Sequence, residues 1–572
     1  MTDAQKRWLR IPRLAMVAGA LGAIGAVPVV VKLANSPDHW VNNAVMVPFG
    51  ESIAISSPLR LSDRLPLTID RGSILNAAGE RGVSGVVIDE AAVTLDLTRG
   101  QLERELLTMD AKPPSVPQIA GFASDTMRLT RALVTVVGPD GAKARLSDVN
   151  ATITANRKGS YKLIATGRLN DQPIAVDAVW GESGAQDSAQ QIPLRVTLRS
   201  PVLELTLDGH YDGASVPRFV GEADLQLPNL ERFARWTGLG RGVGQQFRSV
   251  TVSGPVDWTT GNMAFSKANI TVNGNYATGA LTIKHADHRL SLDGTFGFQE
   301  LDLGRSWPAF AAERENEGQE PHILTVLDAD LRLSATKVYG PAFEMGRAAV
   351  SIALNKGRLQ ADIAELEIEG GTAGGQLAID LNQPSPQAVL KAKLRGVDAG
   401  RVLAASLRRN ALLGRSNLSF EGTLGGQPGG EGLSTITGRG QFDLAEPGRV
   451  GIDVHALMHA ARSASTVGWA AAGKGGTQVD SLSARFRVLN GAVTIESLQA
   501  RSGTSMLVGS GQLDVPARLL DVSIASGPWN AGEAPITAQD ILLMRGTWDA
   551  PAISLMPKAK PTTGQAPPVR SH

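Results

Sequence analysis

The chain has 572 residues, 42% of them hydrophobic and 19% charged, with 56 Lys and Arg against 55 Asp and Glu. It is too long for one ordinary core, and its composition is that of a folded chain rather than a disordered one. The near-neutral balance leaves no electrostatic footprint for nucleic acid, and the absence of cysteine removes disulfides, thiolate metal sites and thiol nucleophiles together.

Lys6, Arg7, Arg10 and Arg13 precede an uncharged apolar run at residues 14–31, with Lys32 directly after it. As a helix this run reaches roughly 27 Å, close to the ~30 Å hydrocarbon core of a bilayer. The bias of basic residues puts residues 1–13 in the cytoplasm and the rest across the membrane. Residues 14–33 then form a membrane anchor whose apolar positions include Leu14, Val17, Leu21, Ile24, Val27 and Val30. A cleaved signal peptide ending near Ala26 is the alternative, although its apolar region is usually about 7–15 residues long. Both readings export residues 41–572.

From residue 41 to about 120 the pattern is weak, with a short helix expected at 101–109. From Met127 to Trp307 short alternating strands are separated by turn signals, among them Pro139-Asp140-Gly141 and Asn170-Asp171-Gln172-Pro173. This is the signature of an antiparallel β meander. Further helices are expected at 229–237, 398–409 and 453–463, as caps or crossovers on one β architecture. The polar segment 313–319 divides an N-terminal β region (41–312) from a C-terminal one (320–556). Residues 557–572, rich in Pro, read as a disordered tail that blunts one sheet end.

The strongest local signal is at 482–496. Phe486 and Val488 alternate with Arg485 and Arg487 up to Asn490-Gly491, and Val493 and Ile495 return beyond it. Asn-Gly suits a two-residue type I′ turn, because both central residues need φ > 0. That loop sets Leu489 against Ala492, Val488 against Val493, Phe486 against Ile495 and Arg485 against Glu496. A copy lies upstream: Val350, Ile352 and Leu354 lead to Lys356-Gly357, and Leu359, Ala361 and Ile363 return. GGTAGGQLAIDL follows the first hairpin and SGTSMLVGSGQLDV the second, so the unit is hairpin, small-residue break and strand.

Chemistry-bearing motifs are few. The run from Gly238 to Gly244 follows a helix rather than a strand, so Gly238 reads as a helix C-cap and not as a phosphate loop. His455 and His459 are spaced i, i+4, but Ala456 stands where a zinc-protease helix needs Glu. His285 and His288 flank a polar loop. Carboxylates are scattered over polar strand faces, and no nucleophile elbow is present. No enzyme, cofactor or metal is expected. The apolar stripe remains, and such a stripe is more often half of a sandwich core than a ligand surface.

The C-terminal half resembles the AsmA family of bacterial envelope proteins. The resemblance is carried by GIDVHALM (451–458), VDSLSARFRVLNG (479–491), GSGQLDV (509–515) and RGTWDAPAI (545–553). It implies a mainly β fold: an N-terminal transmembrane helix followed by an elongated, curved antiparallel groove, apolar inside and polar outside, with a few short helices. It also implies an inner-membrane protein with its bulk in the periplasm, binding or moving phospholipid between the two membranes and supporting outer-membrane biogenesis. The alternative is a non-lipid factor that regulates outer-membrane protein targeting or assembly through protein contacts. The lipid alternative expects Val350, Ile352, Leu354, Leu359, Ile363, Phe486, Val488, Val493 and Ile495 to line one groove.

Overall fold

The computed structural model describes residues between 52 and 556; the larger segments outside it are 97–123, 182–190, 238–247, 306–326, 402–411, 426–434 and 529–539. The expected anchor at 14–33, the helix at 101–109, the Gly238–Gly244 run, most of the helix at 398–409, the polar segment 313–319 and the tail 557–572 therefore lie outside the described residues. The protein is mainly β, with two α-helices of eight residues or more among the described residues. The fold divides into two compact units. The first holds the described residues up to Ser334 together with 352–357, and the second holds 335–351 and the residues from Arg358 onward.

In the first unit the strands from Ser124–Val137 to Arg289–Asp302 pair in chain order, each antiparallel to the next. The turns Asn170-Asp171 and Asn273-Gly274 have φ > 0 at both residues, the geometry that joins two strands without splaying them. The alternating apolar residues pack into one core in which Trp180, Leu207 and Phe265 are almost wholly buried. Helix α1 (Leu230–Thr237) is capped by Asn229, whose side chain accepts from the Arg232 amide at 2.8 Å. Its Trp236 packs on the core and donates Nε1–H to the Leu169 carbonyl at 2.7 Å. One pairing departs from the antiparallel expectation: Ser84–Asp96 runs parallel to Ser124–Val137. A parallel neighbour needs a long crossover, and the chain between these strands is long enough to make one.

In the second unit the strands from Arg358–Ile368 to Pro551–Leu555 are again antiparallel in order. Strand Ile436–Leu444 pairs directly with Ser481–Leu489, so the intervening residues form an insertion. The insertion holds helix α2 (Val454–Ser463) and two strands of a small three-stranded sheet. Asp453 caps α2, accepting from the Ala456 amide at 2.8 Å. Val454, Leu457, Met458 and Ala461 on α2 are buried in a cluster with Leu507, Val522, Leu542 and Ile553 of the sheet. The last strand is blunted from within the described chain. Val467 donates to the Ile553 carbonyl at 2.8 Å and accepts from its amide at 2.9 Å, occupying backbone groups that an edge strand otherwise leaves open.

The 482–496 hairpin has the expected turn, with φ of 50° at Asn490 and 79° at Gly491, and the expected pairs Leu489–Ala492, Val488–Val493 and Phe486–Ile495. The pairing of Arg485 with Glu496 is not found. A bulge shifts the register between Arg485 and Phe486, so Arg485 faces Ser497 and Glu496 instead pairs with Arg487 at 2.8 Å. A bulge inserts one extra residue on one strand, and alternation alone does not reveal it.

Within the first unit, Arg289 donates to Asp328 through Nε at 2.8 Å and a terminal nitrogen at 2.6 Å, and the Lys356 amide adds a bond of 2.7 Å. The Arg289 bonds, then that amide, hold the Asp328 carboxyl below the usual carboxylate range. A depressed folded-state pKa stabilises the fold above the unfolded value and loses that contribution as pH falls through the folded one. The stability difference between wild type and Asp328→Asn is therefore expected to be constant near neutrality. It should shrink as pH falls through about 4 and below, and denaturant midpoints across that range check it.

Candidate functional site: an apolar sheet face

Residues directly opposed in an antiparallel pair lie on the same face of the sheet. In the second unit the registers link one row: Ile363, Gly375, Ala392, Phe420, Gly440, Phe486, Ile495, Gly511, Val522, Met544 and Ile553. A parallel row runs Ala361, Leu377, Leu390, Gly422, Gly438, Val488 and Val493. Every position in both rows is apolar or glycine. The two sequence repeats thus meet on one face: Leu359, Ile363, Phe486, Val488, Val493 and Ile495 share it. Val350, Ile352 and Leu354 sit on the preceding strand, Met345–Asn355, which is divided between the two units.

The rows hold because aromatic rings lie on glycine. A Cβ added at Gly440 would collide with the Phe486 ring, and one at Gly438 or Gly422 would come within 2.7 or 2.9 Å of the Phe420 ring. Glycine in a strand interior marks a close approach, and here the approaching group is a ring covering the bare backbone. Phe420, Leu418, Leu390 and Phe442 belong to this face, and sequence reasoning missed them. For Leu418, Phe420 and Phe442 the signal is LSFEGTL followed by GRGQFDL, two runs in which Phe or Leu and Gly recur at every second position.

Burial differs along the face. At its C-terminal end α2 covers it, and Leu542 and Ile553 are fully buried. From Leu359 to Phe486 most of its larger side chains remain half-buried, and Ile363 is exposed. In the first unit the corresponding apolar face is buried almost throughout. The opposite face of the second unit is polar. Lys391 pairs with Glu421 at 3.2 Å and Arg545 with Asp521 at 3.0 Å. In the first unit, hydrogen bonds from Arg218 hold the Asp257 carboxyl below its usual range on the equivalent polar face. His455 and His459 are both exposed on α2, and among the described residues no group of three metal-binding side chains converges.

What this arrangement offers chemically is an apolar strip with a polar back. No family model, curated protein or solved structure matches the chain.

If the Phe486 ring and Gly440 backbone form one packing unit, the two sites are energetically coupled. Phe486→Ala should cost about 2–3 kcal/mol, below the 3–5 typical of a fully buried Phe, since the ring is half-exposed. Gly440→Ala alone should also destabilise, through its collision with the ring. The double variant should cost less than the sum by about 0.5–3 kcal/mol. Urea denaturation of the four proteins checks this.

Proposed function

We propose that this protein is a membrane-anchored β-groove protein of the AsmA type, held in the inner membrane by residues 14–33 with its bulk in the periplasm. In this proposal the second unit holds or conducts phospholipid acyl chains along its apolar face and so supports outer-membrane biogenesis. The observation that carries it is the unbroken pair of apolar rows, left half-exposed from Leu359 to Phe486. Monomeric soluble proteins rarely leave a contiguous apolar patch open unless it meets a partner, a ligand or a membrane. An acyl chain needs a dry strip with no unsatisfied polar group, and glycine and apolar side chains supply one.

A second proposal is favoured by the first unit. Its apolar face is filled by its own side chains, with Trp180 and Leu207 each 1% exposed. A sheet filled in this way suits a structural or assembly factor that acts on outer-membrane proteins through protein contacts.

The test is mass spectrometry of lipid carried by the purified full-length protein beside Leu390→Glu, which puts a charge on the half-buried row. Circular dichroism establishes that the variant folds. Phospholipid bound to wild type and at least tenfold depleted from the folded variant supports the groove. Equal lipid in both, or none in either, overturns it and favours the assembly factor.

A further inference from the structure

The outer, polar face of the second unit carries a feature that the apolar face does not explain. Val389 opposes Thr423, which opposes Thr437. Leu489 lies one residue beyond the Gly438–Val488 pair, beside Thr437, and opposes Ala492. Ala492 opposes Asp514, and Asp514 opposes Leu519. Val389, Leu489 and Leu519 therefore stand in one line across the strand ends, on the face turned away from the apolar rows. They are 43%, 61% and 43% exposed. Within the described fold all three are left in large part to solvent, and an isolated core defect does not recur three times in one register row.

The adjacent rows are basic. Lys391, Glu421, Arg439 and Arg487 form the next row, and Lys393, Ser419, Gln441 and Arg485 the one after. Arg439 and Arg487 are directly opposed and 82% and 69% exposed at their side chains. The carboxylates on this face are Glu421, which meets Lys391 and Arg439, Asp443, Glu496, which meets Arg487, Asp514, which stands in the line between Ala492 and Leu519, and Asp521 at the far end of the basic row, which meets Arg545. On the strands from Gln387–Asp398 to Ser481–Leu489, with Arg395 included, the cations outnumber the carboxylates.

An apolar line at the rim with a cationic band behind it matches the layering of a bilayer surface. Apolar side chains enter the headgroup boundary while Lys and Arg meet phosphate. The cations are spread at the ~4.8 Å strand spacing rather than converging on a point, which suits a diffuse anionic surface. We infer that this strand-end rim docks on the surface of a bilayer containing anionic phospholipid. The inference concerns the outer face and stands apart from lipid in the groove.

The test uses the full chain in nanodiscs of phosphatidylcholine, mixed with vesicles of either phosphatidylcholine or phosphatidylglycerol and phosphatidylcholine, and read by co-flotation. Wild type should float with the phosphatidylglycerol vesicles and release as salt rises, since the Debye length falls from about 10 Å at 0.1 M to about 3 Å at 1 M. Arg439→Gln with Arg487→Gln should lower partitioning by roughly 25-fold, about fivefold per charge. Leu489→Gln with Leu519→Gln should lower it as well, with charge unchanged. All these positions are exposed, so both variants should keep wild-type circular dichroism. Lipid carried by the groove, measured by mass spectrometry, should be the same in all three proteins. Failure of wild type to float with anionic vesicles, equal flotation of the variants, or flotation that ignores phosphatidylglycerol overturns the inference.

Discussion

The constraint on which the structure depends is that directly opposed residues in an antiparallel sheet must share a face. Once a two-residue turn with φ > 0 at both positions sets one register, every residue on both strands is assigned to a side. Asn490-Gly491 does this for Phe486, Val488, Val493 and Ile495. The next strand inherits the assignment through its own pairs, so Leu513 comes to face Val493 and Leu520 to face Leu513. The apolar face is this inheritance carried across the whole second unit.

The inheritance tolerates breaks in alternation because bulges absorb them. Ile363 and Leu366 are three residues apart, yet they oppose Gly375 and Ala373, which are two apart. Ile495 and Leu498 stand in the same relation to Gly511 and Gly509, and Leu394 and Val397 to Leu418 and Ser416. In each case an extra residue on one strand restores the apolar side after an odd step. The bulges in the two repeats fall on corresponding strands, so they belong to the repeated unit. They also add local twist, which a long sheet needs to avoid lying flat.

These particulars explain what could be read in advance. The hairpin turns were legible because their residue types are dictated by φ. The helices at Leu230–Thr237 and Val454–Ser463 were legible because each breaks a two-residue period with a 3.6-residue one behind a capping Asn or Asp. The Glu496 partner was not legible, since a bulge has no fixed residue signature. The parallel pairing of Ser84–Asp96 was not legible either, because alternation looks the same in both strand directions. The Phe420 and Phe486 rings over glycine needed the registers themselves, which bring together residues far apart in sequence. Leu359 and Phe486 could be placed on apolar stripes from the sequence, but only the intervening strands put them on one face.

The two faces differ in what they contribute. Most ion pairs on the polar side are well exposed, and such pairs are worth about 0–1 kcal/mol each. Stability must therefore come from the apolar side, at roughly 25 cal/mol for each Å² removed from water. The first unit and the end beneath α2 collect that contribution with their own side chains. Between Leu359 and Phe486 the contribution is only partly collected. Any apolar molecule that fills this stretch completes the burial, binds the folded chain alone, and stabilises it by mass action. A fold that leaves its main source of stability incomplete in one place therefore couples its stability to occupancy there. The same exposure limits how apolar the stretch can become: further exposed Leu or Phe would favour collapse or self-association. Glycine sets that limit, because it keeps the strip dry while adding almost no apolar area of its own.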